Sequence, residues 1–163
     1  MPRQLANLLR DTLAQELPNL SALSETAAST QPSGANSWSP KQELGHLIDS
    51  AANNHIRFVR AAIEPELTGP SYAQNAWVQI HAYHEKPWTT TLFFWHAYNT
   101  FLVDLIAHIP EDKLTTPCTL GSSEPSSLRF LIEDYVLHLQ HHLDHLLQRA
   151  AVTPYPAART TAK

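Results

Sequence analysis

The stretch Ser126–Ala150, S-S-L-R-F-L-I-E-D-Y-V-L-H-L-Q-H-H-L-D-H-L-L-Q-R-A, decides how this chain is built. Leu128, Leu131, Ile132, Tyr135, Leu139, Leu143 and Leu146 recur at steps of three and four, so they share one face of an amphipathic helix. Its second half carries His138, His141, His142 and His145. At about 100° per residue, His138 and His142 fall on the flank of the apolar face, His141 turns outward and His145 lies on the border. Imidazoles at i and i+4 point the same way, one turn apart. That spacing lets two rings share one metal ion at about 2.0–2.1 Å each. His141 and His145 form a second pair with the same spacing.

Outward from this helix the chain repeats the same pattern. Arg3 to Leu23 reads as a first helix, with Leu5, Leu8, Leu9, Leu13, Leu17, Leu20 and Leu23 on one stripe and Pro18 as a kink or split. Ala27 to Ser37 has no periodicity and reads as an exposed loop. Ser39-Pro40-Lys41-Gln42 is a strong helix start, with Ser39 as N-cap, Pro40 at the first helical position and Gln42 closing a capping box. The second helix runs to about Ile63. Its apolar face is Leu44, Leu47, Ile48, Ala51, His55, Phe58, Val59 and Ala62, and His46, Ser50, Asn53 and Arg57 form an opposite, polar stripe. Pro65, Gly69 and Pro70 end it. The connection Thr68–Pro87 is long and anchored by Tyr72, Trp77, Ile80 and Tyr83, with helical spacing from Ala76 to Tyr83 predicting a short crossing helix. A third long helix spans Trp88 to Ile109, on Leu92, Trp95, Tyr98, Asn99, Leu102, Ile106 and Ile109. Leu114 to Pro125 is irregular.

These elements predict an all-α four-helix bundle, with a long crossover between the second and third helices and no convincing strand. Residues 1–152 form a single metal-binding domain in this reading, and 153–163 an extended or mobile tail. The chain has 163 residues, enough for one domain with a real core. At 43% hydrophobic and 16% charged residues it is not a disordered polar chain. A net charge of -4 without a basic run argues against nucleic acid or anionic lipid as partner. The single cysteine, Cys118, excludes an intramolecular disulfide and a Cys-rich zinc module, and reads as a bystander. No signal peptide and no apolar run of transmembrane length is visible, so the cytoplasm is the expected compartment.

Ten histidines are the main compositional sign of chemistry. Two on one helix do not make a tight site, and a third ligand must come from another helix. His46, His55, His81, His84, His96 and His108 are the candidates. Periodicity favours His55, on the apolar side of the second helix, and the residues alone leave the choice open.

Trp38-Ser39-Pro40-Lys41-Gln42-Glu43-Leu44-Gly45-His46-Leu47-Ile48-Asp49-Ser50, with Asn53 and Arg57 downstream, resembles the second-helix motif of the DinB/YfiT-like superfamily of metal-binding four-helix bundles. Asp134-Tyr135-Val136-Leu137-His138-Leu139-Gln140-His141-His142-Leu143 resembles that family's last-helix motif, H-x-x-H-H. The resemblance covers nearly the whole chain. It implies a three-His site of His46, His138 and His142, a divalent metal (commonly zinc or nickel) and often a homodimer. Relatives are described as transferring or isomerising a low-molecular-weight thiol adduct, or as metal-dependent hydrolases. The aromatic stretch around Tyr72, Trp77, Tyr83, Trp88 and Trp95 departs from simpler members and bears on the pocket.

Three neutral imidazoles leave the ion's charge uncompensated and at least one position open, the pattern of a catalytic rather than a closed structural site. Metal loss is expected as pH falls through about 5–7. No H-E-x-x-H is present, which argues against a zincin protease. Asp49 and Asp134, each one turn from a candidate ligand, are candidates for orienting imidazoles, and Asn53 and Arg57 complete the candidate polar surroundings. Arg57 could bind a substrate carboxylate. The expectation is a thiol S-transferase or hydrolase acting on a small substrate. The alternative is a non-catalytic metal-binding bundle serving as a stress-linked binding or assembly module.

Overall fold

The computed structural model describes residues 1–33, 37–151 and 155. The expected tail, 153–163, therefore lies outside the described residues apart from Tyr155. Among the described residues, six helices and three short strands follow one another: α1 Pro2–Ser21, α2 Glu25–Ser29, α3 Pro40–Ile63, β1 Leu67–Gly69, α4 Gln74–His81, α5 Trp88–His108, β2 Pro117–Leu120, β3 Ser126–Ser127 and α6 Leu128–Leu146. Single 3-10 turns at Tyr83–Glu85 and Glu111–Thr115 precede α5 and β2.

The four long helices are α1, α3, α5 and α6. α1 packs on α5 and α6, and α3 packs on the same two, which closes a four-helix bundle. Every apolar stripe residue of α6 is buried, from Leu128 to Leu146. They meet Leu5, Leu9 and Leu13 of α1, Leu44, Leu47 and Phe58 of α3, and Trp95, Leu102 and Ile106 of α5 in one core. Phe58 and Tyr135 meet edge to face at 5.8 Å, and the Tyr135 hydroxyl donates to buried Asn99, which in turn donates to the Trp95 carbonyl at 2.9 Å. A buried polar pair of this kind persists because each member is satisfied.

α3 starts as its sequence demands. Ser39 and Gln42 form a capping box, with the Ser39 N–H donating to Gln42 Oε1 at 3.0 Å and Pro40 in the first turn. α1 continues through Pro18 to Ser21 instead of splitting there, because the proline falls in the last turn, and Leu8, expected on the stripe, is exposed. The expected loop Ala27–Ser37 begins inside α2. Ser24 Oγ accepts from the Ala27 N–H at 3.1 Å, and Glu25 accepts from Lys41 and from the Trp88 N–H. The crossing helix is α4, with Val78 buried and Ile80, expected as an anchor, 81% exposed. After α4, Ala82 takes a left-handed conformation (φ 49°) and turns Tyr83 back beneath α3.

The strands were not expected. β1 runs parallel to β2, with Leu67 opposite Cys118 and Gly69 opposite Leu120, and β3 pairs antiparallel to β2, with Cys118 opposite Ser126. Segments of two to four residues are too short to show a period. They tie the crossover to the segment before α6. Among the described residues no helix is long and apolar enough to cross a membrane.

Candidate metal centre

α3 and α6 lie side by side, and their contact brings His46 against the i, i+4 pair of α6. The His46 Nε2 and His138 Nε2 atoms are 3.1 Å apart. Ring centroids are 4.5 Å apart for His46 and His142, 4.5 Å for His138 and His142, and 5.0 Å for His46 and His138. Each ring offers one nitrogen, and the three nitrogens lie within 4.8 Å of one another. Two ligands at about 2.0–2.1 Å on a tetrahedral ion sit about 3.3 Å apart, close to the observed 3.1 Å spacing.

His46 is 1% exposed. The sequence places it on the polar side of α3, and that side faces α6. Ser50 is buried as well, and Arg57 is half-buried. Asn53 turns back to the Asp49 carbonyl at 2.9 Å, and Asn54 takes its place beside Ser50, Arg57, Tyr72 and His138 in the wall of a cavity of about 170 Å³. Arg57 Nη2 donates to the Pro70 carbonyl at 3.0 Å. Asp134 lines the same cavity, one turn before His138.

The carboxylate that reaches an imidazole of the cluster is Glu43. Its Oε2 accepts from His142 Nδ1 at 2.7 Å, with both side chains largely buried. This fixes the tautomer and leaves Nε2 of His142 with its lone pair, the arrangement found behind most metal-bound histidines. The sequence reading passed over Glu43. Its one signal was its place three residues before His46, on the same side of α3. Asp49, expected to orient a ligand, instead accepts from the Tyr83 hydroxyl at 2.7 Å and from His81 Nδ1 at 2.8 Å. Ser50 Oγ stands 3.5 Å from His138 Nδ1.

Electrostatics suit a cation. Burial, with the neighbouring His142 second, holds the His46 pKa down to about 3 and that of His138 down to about 2. Both rings therefore stay neutral with a lone pair available, and the window of about 5–7 expected for their protonation moves lower. One proton between His46 and His138 would satisfy one lone pair of the cluster, whereas one divalent ion satisfies all three. His46 Nδ1 is buried with no partner among the described residues. Trp38 covers the cluster from one side, its ring 5.0 Å from that of His46, and Tyr72 and Tyr155 stand at 6.5 Å from His46 and 5.4 Å from His138.

The remaining histidines are elsewhere. His55, favoured by periodicity, bonds the Tyr98 hydroxyl at 3.0 Å. His84 is exposed beside Glu85, and His108 bonds the Asp104 carbonyl. His141 and His145 meet edge to face, with ring centroids 4.2 Å apart. His145 also joins Glu43 and His142 in a second possible ligand group, which shares His142 with the first.

A sequence model described as the DinB superfamily matches residues 8–146. Among curated proteins, one named "Putative metal-dependent hydrolase" from Bacillus mycoides (strain KBAB4) is 23% identical over 146 residues, covering 90% of this chain and 77% of the relative. A Bacillus cereus protein of the same name is 24% identical with the same coverage. Among solved structures, YfiT from Bacillus subtilis superposes with a TM-score of 0.77 at 20% identity, over 90% of this chain and 84% of that one. YfiT is described as "a probable metal-dependent hydrolase with an unusual four-helix bundle topology". At that identity the likeness shows the fold.

Proposed function

The chain belongs to the DinB superfamily, and we propose that it is a metal-dependent enzyme acting on a small substrate, as a hydrolase or as a transferase of a low-molecular-weight thiol. The observation that carries this is the convergence of His46, His138 and His142 from two helices, with Glu43 behind His142. These three imidazoles would hold one divalent ion, zinc or nickel by the preference of such donors. When bound, the ion supplies Lewis acidity and lowers the pKa of a water or thiol.

The chain's own residues do the rest. Burial keeps His46 and His138 neutral. Glu43 holds the His142 ring by its Nδ1–H and directs Nε2 to the cluster. Trp38 and Tyr72 shield His46 from water. The cavity beside His138, with Ser50 and Arg57 in its wall, is where the substrate is received, and the Arg57 guanidinium suits an anionic group on it. The second reading, a metal-binding module without turnover, has one observation in its favour: the Tyr155 ring packs on both His138 and His141 at that cavity.

Elemental analysis of the purified chain, followed by a screen of thiols, electrophiles and simple esters with and without chelator, separates the readings. The enzyme shows turnover that chelator abolishes and metal restores, whereas the module retains metal and turns nothing over. His46→Ala, His138→Ala and His142→Ala should each release the metal, and His141→Ala should not. A chain that keeps full metal content after His138→Ala is not built this way. We also propose a homodimer, supported by exposed Phe93 and Phe101 of α5, which light scattering would reveal.

A further inference from the structure

Asp49 stands one turn past His46, yet it serves a different place. Its side chain is 2% exposed. One oxygen, Oδ1, accepts from the Tyr83 hydroxyl at 2.7 Å and from His81 Nδ1 at 2.8 Å. Because the carboxylate can only accept, His81 carries its proton on Nδ1 and presents Nε2 as an acceptor. This is the carboxylate–imidazole pairing that orients a histidine base in hydrolases. The other oxygen, Oδ2, is buried and meets no donor among the described residues, an uncommon state for a buried polar atom.

Asp49 and His81 both line a cavity of about 410 Å³ between α3, α4 and α5. None of the three clustered histidines lines it. Its walls include Ile48, Ala52, Trp77, Phe94 and Tyr98, with Lys86, Thr90 and Thr91 as further polar groups on the lining. The volume falls within the range of small-molecule sites, about 300–1,000 Å³, which pair apolar walls with a few placed polar groups.

We propose that this cavity is a second binding site, for a hydroxylated aromatic molecule, with His81, held by Asp49, receiving its hydroxyl and the aromatic side chains receiving its ring. His81 Nε2, turned out by the bond of Nδ1 to Asp49, is an acceptor on the lining and calls for a donor on the ligand. Trp77, Phe94 and Tyr98 favour a flat ring, which they contact by face or edge. The Lys86 ammonium disfavours an amine. A phenol satisfies His81 with its proton on either atom: its O–H donates to Nε2, or the O–H bond breaks, the N–H bond forms and the imidazolium donates to a phenolate balanced by Lys86. The site is independent of the proposed metal-dependent function.

Equilibrium dialysis of the full chain against para-nitrophenol and against its methyl ether, para-nitroanisole, tests this with the protein metal-loaded and chelated. The phenol should bind equally in both states, and the ether about tenfold more weakly or worse. His81→Phe, which keeps a ring but removes the acceptor, should lower the affinity for the phenol about tenfold and leave that for the ether and the metal content unchanged. Absence of phenol binding at millimolar concentration overturns the proposal, as does equal affinity for the ether. Loss of phenol binding on chelation overturns it too, by placing the ligand on the metal instead.

Discussion

Gly45, inside α3 and directly before His46, should resist the substitution that stabilises most helical glycines. In an open helix, Gly→Ala gains about 1 kcal/mol. Here a Cβ on Gly45 would lie within 2.6 Å of three ring carbons of Tyr83, and Tyr83 is 5% exposed and tied to Asp49. The ring must therefore move. Overpacking costs about 1–3 kcal/mol, and a broken bond to a buried carboxylate about 1.5–3 kcal/mol. Against the helix gain, the net loss is about 1.5–5 kcal/mol, or a fall in Tm of about 3–20 °C for a chain of this size. Thermal unfolding followed by far-UV circular dichroism measures it. In a Tyr83→Ala background the overlap is gone, so Gly45→Ala should there be neutral or stabilising by up to about 1 kcal/mol. A Gly45→Ala chain as stable as the parent would refute the account of Tyr83 packed against bare helix backbone.

Other outcomes follow from the same contacts. Glu43→Gln keeps an acceptor for His142 but removes the negative charge behind that ring, so metal affinity should fall about 10–100-fold, read by competition with a chelating dye. In the metal-free chain, the unfolded state takes up protons on His46 and His138 near the ordinary 6.5, while the fold refuses them until about 3 and about 2. Stability is thus complete above that ordinary value and lost as pH falls below it. Urea midpoints should drop progressively on acidification, and a flat profile down to about pH 4 would contradict the neutral, buried rings. Arg149 bridges buried Glu16 and Asp144, tying α1 to the end of α6. Arg149→Met should cost about 3 kcal/mol by leaving two buried carboxylates without their cation, measured by urea unfolding.

The four long helices were legible in the sequence because their information is local. The stripe from Leu128 to Leu146 repeats at the helical period, and Ser39, Pro40 and Gln42 mark a start whose hydrogen bonds close within one turn. The His138–His142 pair was legible for the same reason, since i, i+4 spacing fixes the separation of two rings before any packing occurs. Family resemblance, and not periodicity, pointed to His46. Periodicity reports only an angle around the helix axis, and His46 lies on the polar side at an angle that usually means solvent. Packing made that side an inner one, because α6 presents His138 and His142 to it and polar groups can face each other across a groove when each finds a partner. Which carboxylate stands behind which imidazole was equally hidden. Glu43 serves His142, 99 positions away, while Asp49 turns to Tyr83 and His81 on the other side of α3. The two- to four-residue strands left no trace either, since their pairing joins Leu67 to Cys118 through contacts that exist only once the bundle has brought both segments together. Local repetition determined the helices and the paired histidines. Tertiary contact decided the third histidine, its surroundings and the second cavity, because a site between helices is defined by partners distant in the chain.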